Sequence, residues 1–264
     1  MPAAASPMIE AHDLTFTYPD GQTVFDRFNW RVDAGQAWAI LGPSGCGKST
    51  LLYLLAGLRQ PSAGQVRVRA EPIRRPRPRT GLILQDFGLL PWATVFQNAS
   101  LGLRIRGFYG PDGTHAPRDE EDLKIQQRVS LWLDRLGLAG LTGNYPSQVS
   151  GGQRQRVAIA RTLALSPDLL LMDEPFAALD APTREDLQDL VLELRQEHGL
   201  TTVLVTHSIE EAALMGQQVL ILGQLPNRSA TVLGESEAAS PAFRASPSYA
   251  ARVKQLRQAL EAGA

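Results

Sequence analysis

A chain of 264 residues with 44% hydrophobic and 20% charged residues can bury one large core and is too apolar to be a disordered polymer. Its formal net charge of −1 lacks the basic excess of a dedicated nucleic-acid binder, although Arg67, Arg69, Arg74, Arg75, Arg77 and Arg79 crowd one short stretch. The single cysteine, Cys46, excludes an internal disulfide, and a reducing compartment is expected.

Met1-Pro-Ala-Ala-Ala-Ser has neither a basic nor an apolar region, so no signal peptide is expected. No apolar run approaches the roughly 20 residues of a membrane-spanning helix. A soluble protein is expected, doing any membrane work through a partner.

The first forty residues read as β-structure. Ile9 to Thr17 alternates loosely, Pro19-Asp20-Gly21 turns, and Trp30 to Val32 resumes an extended pattern before Asp33-Ala34-Gly35 turns again. Ala37 to Leu41 is a short apolar run that stops at a glycine-rich loop. Ser49 to Leu58 then has the apolar density of a buried helix, ended by Gly57 and Pro61. Two strands are expected between 64 and 84, separated by the connector Pro72 to Pro78. Residues 94 to 165 are mostly helical in pattern, with a helix from Asp119 to Leu136 stopped by Gly137. Residues 105 to 118, rich in glycine and proline, read as an exposed loop.

From 168 the alternation of strand and helix returns. Leu169 to Met172 is a continuous apolar run, as a strand buried on both faces requires. Ala181 to Gln196 reads as a helix with Pro182 in its first turn, Thr201 to Val205 as another buried strand, and Ser208 as the cap of the next helix. Val219 to Leu222 and Thr231 to Leu233 are short final strands. The tail ends in a helical pattern with Tyr249, Val253, Leu256 and Leu260 on one face, which packs on its own domain or on a partner.

The chemistry concentrates in two places. In Gly42-Pro43-Ser44-Gly45-Cys46-Gly47-Lys48-Ser49-Thr50 the glycines let backbone N–H groups curl around a polyphosphate, with a helix N-terminus behind them. Lys48 can reach the β- and γ-phosphates, and the Ser49 hydroxyl can ligate Mg²⁺. The run Leu169 to Met172 then delivers Asp173 and Glu174 to the edge of a sheet. Asp173 suits Mg²⁺, and Glu174 can take a proton from an attacking water.

With Val149-Ser150-Gly151-Gly152-Gln153 between those two segments, the chain resembles the ATP-binding-cassette (ABC) family, whose signature usually has Leu at the position of Val149. The resemblance spans nearly the whole chain. It implies an α/β fold: a P-loop NTPase core with an N-terminal antiparallel β-subdomain and an inserted α-helical subdomain. The ATPase domain would cover 1–235 (helical part about 86–165), with a tail at 236–264. It also implies that ATP and Mg²⁺ are bound. Tyr18 corresponds to the aromatic that stacks on adenine, Gln85 to the glutamine that ligates Mg²⁺ and senses the membrane part, and His207 to the switch histidine at the γ-phosphate. Ala178-Leu179-Asp180 matches the loop exchanged between subunits. In the family, Ser150, Gly151, Gly152, Gln153 and Asp180 of one copy close over ATP held by another, so a homodimer is implied.

Gln85-Asp-Phe-Gly-Leu-Leu-Pro-Trp92 resembles importers of nitrate, sulfonates, taurine and bicarbonate. That likeness implies a multi-span permease partner, a solute-capture protein, and peripheral attachment at the cytoplasmic face of the inner membrane. Leu89, Leu90, Pro91 and Trp92 are expected to be exposed as a dock for the permease. Importers of thiamine precursors or amino acids, and exporter cassettes, share the catalytic residues and remain alternatives. A soluble ABC ATPase of DNA repair or translation fits less well, since heptads and a second cassette are lacking.

Overall fold

The structure, a computed structural model, describes residues 7–108, 122–234 and 237–263. These divide into two compact units. The first comprises the described parts of Met1–Arg77, Leu169–Glu174 and Gln188–Ala264; the second comprises those of Pro78–Asp168 and Pro175–Leu187.

In the first unit, strands β1 (Pro7–Thr17), β2 (Thr23–Asp33), β4 (Ala63–Val68) and β5 (Glu71–Pro72) form an antiparallel sheet in the order β2-β1-β4-β5. Alternation makes β2 a strand with one wet face. Phe28, Trp30 and Val32 are buried, while Arg27, Asn29 and Arg31 are exposed. It is far longer than the segment Trp30 to Val32 expected from sequence, because Thr23 to Asn29 pairs with the second half of β1. The arginine-rich hairpin turns at Arg69 and Ala70, both at positive φ, and ends in the short edge strand β5. Exposed Arg74 and Arg75 follow it, a charge pattern that discourages pairing of that edge with another chain.

A second sheet of the same unit contains β3 (Ala37–Leu41), β7 (Leu169–Asp173), β8 (Thr201–Val205), β9 (Gln218–Ile221) and β10 (Thr231–Gly234), in the order β10-β9-β3-β8-β7. Strands β9, β3, β8 and β7 are parallel, and every residue of β3, β7 and β8 is buried. Such strands need helices on their faces. Helix α1 (Lys48–Leu55) buries Leu51, Leu52, Leu54 and Leu55, and contacts β7 and β8. It begins at Lys48 and stops at Leu55, a turn earlier than the expected Leu58. Helix α6 (Ile209–Met215) packs on β3, and α7 (Pro247–Gly263) packs on α6 and β9. In α7 Leu256 is fully buried, with Tyr249, Val253 and Leu260 beside it against Ala39, Leu41 and Ile221. The apolar stripe of the tail therefore covers its own unit.

The second unit holds β6 (Thr80–Ile83), α2 (Val95–Phe108), α3 (Asp122–Arg135) and α4 (Gly151–Leu163), with α2 packed on both α3 and α4. Helix α5 (Ala181–His198) starts in this unit and ends in the first. One expectation changes here. The loop expected at 105–118 is helical as far as Phe108, and its remainder lies outside the described residues. The helix expected from Asp119 is described only from Asp122.

Candidate nucleotide-binding and hydrolysis site

Because β3, β8 and β7 are parallel neighbours, the loops that leave their C-terminal ends emerge at one edge. Those loops carry the glycine-rich segment, His207 and Glu174. The first unit therefore brings together Tyr18, the whole run Gly42 to Thr50, Asp173, Glu174 and His207. A cavity of about 340 Å³ opens there, lined in part by Tyr18, Gly45, Lys48, Thr50 and Glu174.

Gly47 precedes α1 at φ 103°, and a Cβ there would collide with the Val24 side chain, so only glycine fits. No side chain caps the helix, which leaves its first N–H groups open to an anion. Lys48 is 8% exposed, and its ammonium donates to the carbonyls of Gly42 and Pro43 at 2.9 Å each. A buried cation hydrogen-bonded to two neutral carbonyls beside a helix N-terminus suits a polyphosphate.

Cys46 is buried, and burial pushes its thiol above the usual range. Its carbonyl accepts a 2.8 Å hydrogen bond from the buried side chain of Asn227, whose amide also bonds Val24 O and accepts from Gly223 N–H. Asn227 thus ties the loop to β2 and to the segment after β9. No local pattern in the sequence marks Asn227, because the Val24 and Cys46 carbonyls it bonds lie far along the chain.

The Ser49 hydroxyl donates to Asp173 Oδ1 at 3.0 Å. A hydroxyl and a carboxylate are oxygen donors of the kind Mg²⁺ takes, so both residues fit it. Burial pushes the Asp173 carboxyl above the usual carboxylate range. Hydrogen bonds from Ser49 and Tyr53 oppose that push, neighbouring Glu174 adds to it, and Lys48 opposes it. A carboxyl with a raised folded pKa binds its proton more tightly in the native state. Its contribution to stability is greatest below the ordinary carboxylate pKa and declines as pH rises towards the raised value. Asp173→Asn removes that cost. We expect the nucleotide-free variant at pH 7 to melt no lower than wild type in calorimetry, while ATP turnover is lost. A midpoint lower by about 5 °C would instead give the acid a structural role.

Glu174 sits at φ 44°, an unusual conformation for a residue other than glycine. Its N–H still donates to Val205 O at 2.9 Å, extending the β7–β8 ladder by one step before the chain turns. Glu174 Oε2 lies 3.1 Å from Nδ1 of His207, whose side chain is 67% exposed. Tyr18 donates or accepts a 2.8 Å bond with the Thr50 hydroxyl, meets Phe16 edge to face, and carries the Arg59 guanidinium over its ring at 5.0 Å.

The remaining expected site residues lie in the second unit. Ser150 and Gln153 form a reciprocal cap on α4: the Ser150 hydroxyl accepts from Gln153 N–H, and the Gln153 amide accepts from Ser150 N–H. A Cβ on Gly152 would collide with Thr183 Cγ2, so the start of α4 lies directly against the start of α5. There Asp180 accepts from the N–H and hydroxyl of Thr183, which hold its carboxyl below the usual range. Ser150 to Gln153 and Asp180 are thus brought together. Val149 is buried, so this position needs an aliphatic side chain and Val serves as Leu would.

Gln85 is exposed in the turn that follows β6. That turn is gripped by Arg161 of α4, which donates to Gly88 O and Phe87 O at 2.6 and 2.8 Å. Like Asn227, Arg161 is marked by no local sequence pattern, because its partners lie more than seventy residues away. Beyond the turn, Leu89 and Leu90 are half-buried, contrary to expectation, while Pro91 and Trp92 are exposed, Trp92 by 72%. Buried Asn98 explains the difference. Its amide bonds the N–H and carbonyl of Leu90 and the carbonyls of Ala93 and Thr94, folding the turn down and leaving Trp92 at its tip. No helix among the described residues is long and apolar enough to cross a membrane.

Comparison with known proteins agrees with this geometry. The profile of the ABC transporter family matches residues 25–177. The taurine import ATP-binding protein TauB of Pelagibacter ubique is 41% identical over 219 residues, 82% of this chain and 78% of that one. TauB of Yersinia pestis is 39% identical over 241 residues, 88% of this chain and 89% of that one. Among solved structures, cbiO1 of Clostridium perfringens, part of an ABC transporter complex, superposes with a TM-score of 0.74 at 27% identity, covering 96% of each chain. An ATP-binding cassette solved as a dimer in a post-hydrolysis state with ADP and Pi superposes at 0.73 with 29% identity, covering 86% and 98%. The chain belongs to the ABC transporter family and is one of its ATP-binding, ATP-hydrolysing members.

Proposed function

We propose that this ATPase energises an importer of a small sulfonate of the taurine kind, from the cytoplasmic face of the membrane. The observation that carries the hydrolytic half is the Glu174–His207 pair, of which Glu174 lines the P-loop cavity. The import half rests on relatives near 40% identity, over most of both chains, that are named for taurine import.

In this reading Tyr18 stacks on adenine, and Gly42 to Thr50 hold the phosphates. Ser49 and Asp173 would hold Mg²⁺, which would offset charge on the phosphate oxygens. Glu174 accepts a proton from the attacking water as its oxygen bonds to the γ-phosphorus. The bond from that phosphorus to the β–γ bridging oxygen breaks, and ADP leaves with the electron pair. His207 orients the γ-phosphate. Ser150 to Gln153 and Asp180 of a second copy complete the enclosure, so ATP joins two copies and its hydrolysis lets them part. A solute-binding protein delivers the cargo to the permease from the other side.

Two measurements test this. ATP-driven uptake of labelled taurine should appear in proteoliposomes that combine this subunit with its cognate permease, and sulfonates should compete. Turnover without uptake of any sulfonate would move the protein to another solute. Trp92→Ala, at the tip of a turn pinned by Asn98, should lower permease co-purification by about tenfold or more, as for an exposed aromatic anchor. It should leave the ATPase rate of the isolated subunit unchanged. Full permease recovery with Trp92→Ala would place the dock elsewhere.

A further inference from the structure

The His207 side chain is 67% exposed, so packing does little to hold it. The turn is instead closed from behind. The Thr206 hydroxyl accepts a 3.0 Å hydrogen bond from Ser208 N–H, which spans His207, and donates to Glu211 Oε2 at 2.6 Å. The Glu211 N–H in turn donates to the Ser208 hydroxyl at 3.1 Å. Both flanks of His207 are therefore bonded to one residue of α6.

Glu211 has its own support. Its Oε1 accepts from Gln188 Nε2 at 3.4 Å, and the Gln188 carbonyl accepts from Arg244 at 3.1 Å. Arg244 also donates to Asp189 at 2.9 Å. Thr206, Gln188 and Glu211 are 1%, 3% and 7% exposed, so water competes little for these bonds. The direction of each bond is determined by chemistry: Arg244 can only donate, which turns the Gln188 amide nitrogen towards the carboxylate. Arg244 lies in the short helical turn Pro241–Ala245, ahead of α7.

We propose that Glu211 is the positioning residue for His207, and that Arg244 in the C-terminal segment holds it in register through Gln188. The inference rests on the reading of His207 as the γ-phosphate contact, and it assigns the segment before α7 a role in turnover. Loss of the carboxylate frees the Thr206 hydroxyl to rotate, the 206–208 turn loosens, and the imidazole samples positions off the phosphate.

The test combines kinetics with a spectroscopic readout. Glu211→Gln and Thr206→Val should each lower kcat about tenfold with KM within about twofold, since a reacting group misplaced by an ångström loses rate rather than binding. Thr206→Ser, which keeps the hydroxyl, should retain most of the rate. Arg244→Ala should lower kcat severalfold and Arg244→Lys less. Because the effect passes through His207, Glu211→Gln added to His207→Ala should cost no further rate; a multiplied loss would overturn the proposal.

The chain has four histidines, so imidazole ¹H–¹⁵N signals of the whole protein can be assigned by loss of one set in His207→Ala. Glu211→Gln and Arg244→Ala should both shift or broaden the His207 set. Unchanged His207 signals would overturn the proposal, whatever the rates. Wild-type turnover by His207→Ala would overturn the catalytic reading of His207 alone, and the spectra would still decide the positioning claim.

Discussion

Glu174→Gln is expected to lower ATP turnover by at least about 100-fold while nucleotide affinity stays within about threefold of wild type. The side chain keeps its size, and an amide can still bond His207 Nδ1. What it loses is the capacity to take a proton. The backbone at Glu174 spends free energy on a left-handed conformation that turns its carboxylate out of the β7 ladder, which argues for a chemical role and not a packing one. With hydrolysis blocked and binding intact, ATP and Mg²⁺ should convert the variant to a stable dimer by size-exclusion chromatography. Wild-type turnover would remove Glu174 from the role of base, and a monomer that holds ATP tightly would remove the second copy from the site.

Lys48→Ala acts one step earlier, on binding. The ammonium is buried and satisfied by two backbone carbonyls, so it is already desolvated and aimed across the loop. Hydrogen bonds to charged groups contribute about 1.5–3 kcal/mol each. Two such bonds to phosphate oxygens make the loss of affinity about 100-fold or more, measurable by calorimetric titration with ATP. A dissociation constant within about threefold of wild type would show that open N–H groups alone hold the phosphates.

Much of this site was legible in sequence because its parts are local. A five-residue apolar run that ends in glycine reads as a strand feeding a phosphate loop, and the run that ends in Asp173 and Glu174 reads as a buried strand delivering acids to its edge; both strands, β3 and β7, are present. Strand β8 was readable to the residue for the same reason. Ser150 and Gln153 stand at the spacing of a reciprocal helix cap, and they form one. What escaped was long-range. Arg161 reaches the Gln85 turn, and Asn227 reaches Cys46, across 74 and 181 positions, and no periodicity marks such partners. The half-burial of Leu89 and Leu90 follows from a single asparagine, whose four bonds to the backbone refold a segment that composition alone presents as an apolar surface.

The lone thiol of this chain is walled in at the back of the phosphate loop, where a Cβ on Gly42 would strike its sulfur. Shielded and hard to deprotonate, it should react sluggishly with maleimides and peroxide as long as the loop stays folded. Labelling kinetics at Cys46 therefore clock spontaneous opening of the loop, and added nucleotide should slow them. Elsewhere on the surface, an engineered cysteine could be tagged with fluorophores or spin labels without first removing a native one.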